Sequence, residues 1–108
     1  MAMRRDLLPV CLLEDVKNYL DITWDDGATD RKIGNLIASG AAYLDGKCGG
    51  EADYIADGMP RTLLFEWVRY ARDAALDVFE NNYASMILAM QHERAVARYV
   101  ESTISSEA

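Results

Sequence analysis

Basic residues, histidine, proline and paired cysteines are all scarce in this chain, and each scarcity removes a class of function. Eleven Lys and Arg face 18 Asp and Glu, for a formal charge of -7, and the basic residues scatter from Arg4 to Arg98. Gripping a phosphate backbone takes clustered cations that displace counterions, so specific nucleic-acid binding is not expected. His92 is the only histidine. His92-Glu93 opens like the HExxH helix of zinc proteases, but position 96 is Val and the ligands of a zinc centre are missing. Cys11 and Cys48 lie far apart without CxxC spacing. The apolar run at 7–13 is short, broken by Pro9 and without a small-residue cleavage site, so no signal peptide is read. The cysteines are therefore expected to be reduced thiols of a cytoplasmic protein. No apolar run approaches the length of a membrane span. Strand-like alternation, internal repeats and low-complexity tracts are missing too.

Other catalytic and binding motifs fail when tested position by position. The segment 21–32 has the carboxylate density of a calcium loop, but its sixth position is Asp26 where Gly is needed and its twelfth is Lys32 where Glu is needed. The turn at Asp57-Gly58 has no phosphate-loop lysine. Ser39, Ser85 and Ser102 lack a nucleophile-elbow context, and Cys48 has no adjacent base. No carboxylate pair is framed by apolar residues that would raise its pKa. Neither enzymatic activity nor a cofactor or metal is expected.

What the sequence does contain is helical periodicity. At 108 residues, 51% of them hydrophobic, the chain suffices for one domain with one core. Residues 1–11 read as an N-terminal arm carrying Arg4 and Arg5. Leu13, Val16 and Leu20 mark a short helix over 12–20. An acidic loop follows, whose Asp and Thr side chains suit the donors of the next helix. Ile33, Leu36, Ile37, Gly40, Ala41 and Leu44 predict a helix over 29–47. Gly40 sits on its apolar stripe, as expected where another helix approaches closely, and Gly49-Gly50 ends it. After a polar loop at 51–59, Pro60 opens a long helix over 60–81. Its stripe runs through Leu64, Trp67, Val68, Ala71, Ala75, Val78 and Phe79, with Glu66 and Arg69 on the other face and Asn81-Asn82 at its kink or end. Met86, Ile87, Met90, Ala97, Val100 and Ile104 mark a last helix over 83–103, and 105–108 read as a frayed tail. The expected fold is all-α: about four helices, a long central one, and an acidic loop between helices two and three.

Trp24, Tyr54, Tyr83 and Tyr99 fall in loops or on weaker helical faces. They either pack on the edge of their own core or anchor a protein interface, where Tyr, Trp and Arg are enriched. Tyr99 with Arg94 and Arg98 forms the preferred candidate patch.

The order of these elements is familiar. Leu13-Glu14-Asp15-Val16-Lys17-Asn18-Tyr19-Leu20 leads into the acidic turn Asp25-Asp26-Gly27. Asp30-Arg31-Lys32-Ile33-Gly34-Asn35-Leu36-Ile37 follows, continues through Ala41-Ala42-Tyr43-Leu44, and precedes an alanine-rich stretch from Tyr70 to Tyr83. Over 12–99 this resembles the head–tail connector (adaptor) proteins of tailed bacteriophages, through loose hydrophobic patterns and not catalytic signatures. The resemblance implies a helical subunit of a ring of about a dozen copies, docked beneath the portal and extending the DNA channel toward the tail. It implies the portal and a downstream neck or tail-completion protein as partners, and a place at the head–tail junction of the virion after assembly in the host cytoplasm. DNA would pass through without being specifically bound, and no membrane is involved. By the same analogy Arg94, Arg98 and Tyr99 face the portal. The acidic loops with Asp25, Asp26, Glu51, Asp53 and Asp57 are candidates for the channel lining, and they fit a solvated outer surface equally well. The alternative is a helical scaffolding or regulatory module that binds one protein partner as a monomer or dimer.

Overall fold

A computed structural model describes residues 10–107 of the chain, with side chains from 11 to 101. Most of the expected N-terminal arm, and Ala108 of the tail, lie outside the described residues. Four helices follow in order: α1 (Val10–Tyr19), α2 (Gly27–Cys48), α3 (Met59–Arg72) and α4 (Leu76–Glu107). No strand occurs among the described residues. The all-α fold therefore stands as the periodicity predicts, with α2 packed against α1, α3 and α4, and α3 against α4.

Three of the helix ends share one device. At the end of α1, the Ile22 amide donates to the Lys17 carbonyl and the Asp21 amide to Asn18, with Asp21 at φ 60°. At the end of α2, the Gly50 amide donates to Asp45 around Gly49 at φ 78°. At the end of α3, the Ala75 amide donates to Tyr70 and the Ala74 amide to Ala71, with Ala74 at φ 56°. Each is a Schellman-type stop, in which one left-handed residue satisfies the last carbonyls. The α1 stop also buries Ile22, the apolar residue that follows the left-handed one.

The third stop corrects the expected helix over 60–81. Nothing in Asp73-Ala74-Ala75-Leu76 signals a break, since alanine is the best helix former. The helix nevertheless ends at Arg72, and the chain turns at Ala74 and restarts at Leu76. The long helix is thus the last one, 32 residues, and α3 has only 14. Asn81 and Asn82 lie inside α4 and are exposed, Val78 faces solvent, and the segment expected to fray is helical to Glu107. The turn folds α4 back so that Phe79 is fully buried. Phe79 stacks on Tyr83 at 5.0 Å and meets the edges of Tyr70 at 5.8 Å and Tyr43 at 6.4 Å.

The core is formed by Leu12 and Val16 of α1, Ile33, Ile37, Ala41 and Leu44 of α2, Leu63, Leu64 and Val68 of α3, and Phe79 and Met90 of α4. On α1 Leu12 and Val16 are fully buried, while Leu13 is only partly covered. Gly40 marks the closest approach of α2 and α3. A Cβ there would lie 2.7 Å from Trp67 Cε3 and 2.9 Å from Leu64 Cδ1, which explains a helix-weakening residue on an apolar stripe.

The turn at Ala74 yields a test of sign. A left-handed alanine is unfavourable by about 1 kcal/mol or more, and glycine removes that strain, so Ala74→Gly should raise stability by about 0.5–1 kcal/mol in urea unfolding. Were 60–81 one helix, the same change would lower stability by about 1 kcal/mol.

Candidate functional site

Several residues expected at the surface are occupied inside the fold. Tyr54 is one correction: it is buried, and its hydroxyl donates to Asp45 Oδ1 at 2.6 Å and lies 3.2 Å from the Ala41 carbonyl. Asp45, itself buried, also accepts from the Ala52 amide at 3.0 Å. This carboxylate pins the loop after α2 back onto the helix. Its burial was not read from the sequence, because its partners come from a loop 7 and 9 residues further on. Burial, with Asp45 alongside, pushes the Tyr54 phenol well above its ordinary range.

Arg94 and Arg98 are engaged by the fold as well, at its surface. Arg94 Nη2 donates to the Glu51 carbonyl at 3.1 Å, Arg98 Nη2 to the Cys48 carbonyl, and Gln91 Nε2 to the Lys47 carbonyl at 2.9 Å. One stretch of α4 thereby satisfies carbonyls at the C-terminal end of α2, where cations are favoured by the helix dipole. The Arg98 guanidinium lies 3.3 Å from where a Cβ on Gly49 would sit. Cys48, beneath these arginines, is buried; burial pushes its thiol up, against the lowering pull of Arg94 and Arg98. A protonated, covered thiol is not a nucleophile. Cys11 is exposed, and neither cysteine is in a disulfide.

The acidic loops are also partly engaged. Lys17, with a side chain only 3% exposed, lies 3.1 Å from Asp25 Oδ1 and 2.9 Å from Asp30 Oδ1, which fastens the loop before α2 to α1. The bond to Asp30 holds the lysine above its ordinary pKa, against burial. Asp26 caps α2: its Oδ2 accepts from the Thr29 amide at 3.1 Å and the Thr29 hydroxyl at 2.8 Å, and these bonds hold its carboxyl below the usual range. Asp53 accepts from the Ile55 and Ala56 amides within its own turn. Asp57 is fully exposed, 3.9 Å from Arg61 Nε. Arg61 instead binds Asp15 at 2.8 Å and the carbonyls of Tyr54 and Ile55, joining α3 to α1 and to the loop. Asp25 and Asp26 lie before α2 and Glu51 and Asp53 after it, so most of the helix, roughly 30 Å at 1.5 Å per residue, separates the two groups.

Glu66 is a further correction to the expected solvated face of α3. It accepts from Arg69 Nε at 2.7 Å and from the Tyr83 hydroxyl at 2.8 Å. Burial pushes its carboxyl up, but these bonds outweigh it and leave the pKa below the usual range, while the Tyr83 phenol is pushed up to about 12.

Two expected surface residues remain open to solvent: Trp24, 50% exposed, and Tyr99, 73% exposed. Tyr99 belongs to a broader feature that no sequence motif announces. Val78, Asn81, Asn82, Ser85, Leu88, Ala89, His92, Val96, Tyr99 and Val100 are all exposed. At 100° per residue they occupy roughly one third of the circumference of α4. This strip contains no Asp, Glu, Lys or Arg, in a chain of which 27% is charged. From Ala95 to Glu101 every residue is exposed, and past Arg98, which still reaches the Cys48 carbonyl, α4 continues as a helix to Glu107. The helix spans about 48 Å at its usual rise, which accounts for the 52 Å long axis of the molecule.

Among the described residues no group of three or more His, Cys, Asp or Glu is arranged to hold a metal ion, and no helix is long and apolar enough to cross a membrane. No family model, curated protein or solved structure matches this chain.

Two measurements follow from this geometry. Tyr54→Phe leaves the buried Asp45 short of a donor and should lower stability by about 1–3 kcal/mol, whereas Tyr43→Phe, whose hydroxyl bonds Glu80 at the surface, should cost about 0.5 kcal/mol or less. The melting temperature should be level from about pH 5 to 8. Asp26 and Glu66 have lowered pKa values, so their stabilisation is present above the ordinary carboxylate range and is lost as pH falls through the lowered values. Cys48, Tyr54 and Tyr83 have raised values, so theirs is complete below the ordinary thiol and phenol range and is lost as pH rises through the raised values. Asp26→Ala should flatten the acid limb; an unchanged limb would contradict the cap's contribution.

Proposed function

We propose that this chain is a non-enzymatic assembly subunit of the head–tail connector type, forming a ring beneath a phage portal and linking capsid to tail. The observation that carries the proposal is the placement of its exposed apolar residues. Trp24 lies before the N-terminal end of α2, while Val96, Tyr99 and Val100 lie on α4 around Arg98, which bonds the Cys48 carbonyl at the other end of α2. Head-to-tail assembly needs two unlike surfaces on one subunit, and these patches are separated by about the length of α2. The sequence resemblance over 12–99 supplies the rest of the proposal: the portal on one side, a neck or tail-completion protein on the other, and a place in the virion. In this reading the distal end of α4, led by Tyr99, docks on the portal or on the neighbouring subunit. The exposed carboxylates of Asp25, Asp53 and Asp57 would keep a DNA channel from sticking to its cargo.

Electron microscopy of the chain mixed with its cognate portal tests this. A ring seated on the portal vertex is expected, and Tyr99→Glu combined with Val96→Glu should abolish it without loss of helicity, since both sites are solvent-exposed. A portal that stays bare at saturating chain would overturn the proposal.

A further inference from the structure

Where α2 stops and α3 starts, a groove of about 290 Å³ lies between the turn at 52–60 and α4. Its apolar lining is small: Ala52, Ala56, Pro60 and Ala97. Its charged lining is mostly acidic. Asp53 is engaged by the amides of its own turn. Asp57 is fully exposed and comes no nearer than 3.9 Å to a cation, Arg61. Glu93 is exposed and in no ion pair among the described residues. The one cation of the lining, Arg94, already donates from Nη2 to the Glu51 carbonyl.

We infer that this groove receives the N-terminal arm of the same chain, residues 1–9, with Arg4 and Arg5 against Asp57 and Glu93. Charge and reach together select that occupant. The arm carries Arg4-Arg5-Asp6, two cations followed by an acid. The groove offers two exposed carboxylates and one guanidinium, the complementary set. Arg31-Lys32, the other adjacent basic pair of the sequence, belongs to the first turns of α2, at the opposite end of that helix. Reach follows from the placement of α1. It runs alongside α3 in the same direction: Asp15 bonds Arg61, 46 residues on, and the Tyr19 ring meets Phe65 at the same offset and 5.4 Å. That offset sets Cys11 level with Asp57, so the arm leaves α1 beside the turn that forms one wall of the groove. From Val10 back to Arg5 is about 17 Å of extended chain, and to Arg4 about 20 Å, against about 10 Å for the width of a helix. The arm therefore spans the turn with length to spare. Its Met1 and Met3, long and unbranched, suit the space that a lining of alanines leaves. This reading stands independently of the ring. Where it holds, Asp57 is taken by the arm, and Asp25 and Asp53 remain for a channel lining.

A nitroxide at Met3→Cys, in the full chain with Cys11→Ser, tests this by nuclear magnetic resonance; Cys48 is buried and stays unlabelled. In dilute chain at about 0.1 M salt, the amides of Ala56, Glu93 and Ala97 should be broadened, and those of Asp73 and Ala74 at the far end of α3 should not. Arg4→Glu with Arg5→Glu should abolish the broadening, as should Asp57→Lys with Glu93→Lys. Combining all four exchanges should restore about half of it or more. Raising the salt to about 1 M, where charges are screened beyond about 3 Å, should weaken it as well. Asp57 and Glu93 are exposed, and circular dichroism checks that each variant keeps its helicity. Groove amides that stay sharp overturn the proposal, and so does broadening that the charge exchanges leave unchanged. Broadening that appears in an isotope-labelled chain without the nitroxide, when it is mixed with nitroxide-bearing chain, gives the groove to the arm of a second copy and overturns it too. Whether a portal recruits the ring is untouched by any of these results.

Discussion

The left-handed turn at Ala74 is the constraint on which the rest of the molecule depends. Without it, residues 59–107 would form one rod of about 70 Å, with Phe79, Ile87 and Met90 left without cover. A non-glycine residue in this conformation costs about 1–2 kcal/mol. Burying those three side chains contributes roughly 1.5–3 kcal/mol each, so the turn is favoured by a wide margin. The turn also brings α4 alongside α2. Only then do Gln91, Arg94 and Arg98 reach the carbonyls at the end of α2, Tyr83 reach Glu66, and the groove between α4 and the turn at 52–60 come into being.

A second theme is how an acidic chain disposes of its charge. Lys17 is buried between Asp25 and Asp30, and Arg61 binds Asp15, so these cations serve as internal fasteners between elements. The arginines of α4 bond backbone carbonyls at and just beyond the end of α2. The consequence is a division of surfaces. The loops at either end of α2 carry exposed carboxylates, and the outward strip of α4 carries no charge at all. Surfaces of this second kind are suited to contact with other protein, since no charge has to be desolvated there.

The four-helix class, the cap at Asp26, the stop at Gly49, the start at Pro60 and the close approach at Gly40 were all legible in the sequence. Each rests on a local rule: a carboxylate that can reach an amide three residues on, a residue that tolerates positive φ, a ring that fixes φ, or a missing side chain on an apolar stripe. For Trp24, Tyr54 and Tyr99 the sequence left core edge and interface open, and only the structure separates exposed Trp24 and Tyr99 from buried Tyr54. The strip from Val78 to Val100 was hidden because Val78 and Val100 were credited to the core stripes of two helices that are in fact divided elsewhere, and Leu88 and Val96 belonged to neither stripe.

What the sequence determined alone, then, is the set of helices and most of their ends, since these follow from interactions within a few residues of chain. Tertiary structure decided the rest. An alanine takes a left-handed turn only because burial of residues further along outweighs the strain, and no local pattern records that balance. Tyr54, Asp45, Lys17 and Glu66 are buried or bonded by partners from other elements, so their roles exist only once the helices have met. Even the uncharged face of α4 acquires its meaning from packing: it is a surface because the opposite face, with Phe79, Ile87 and Met90, is the one the core takes.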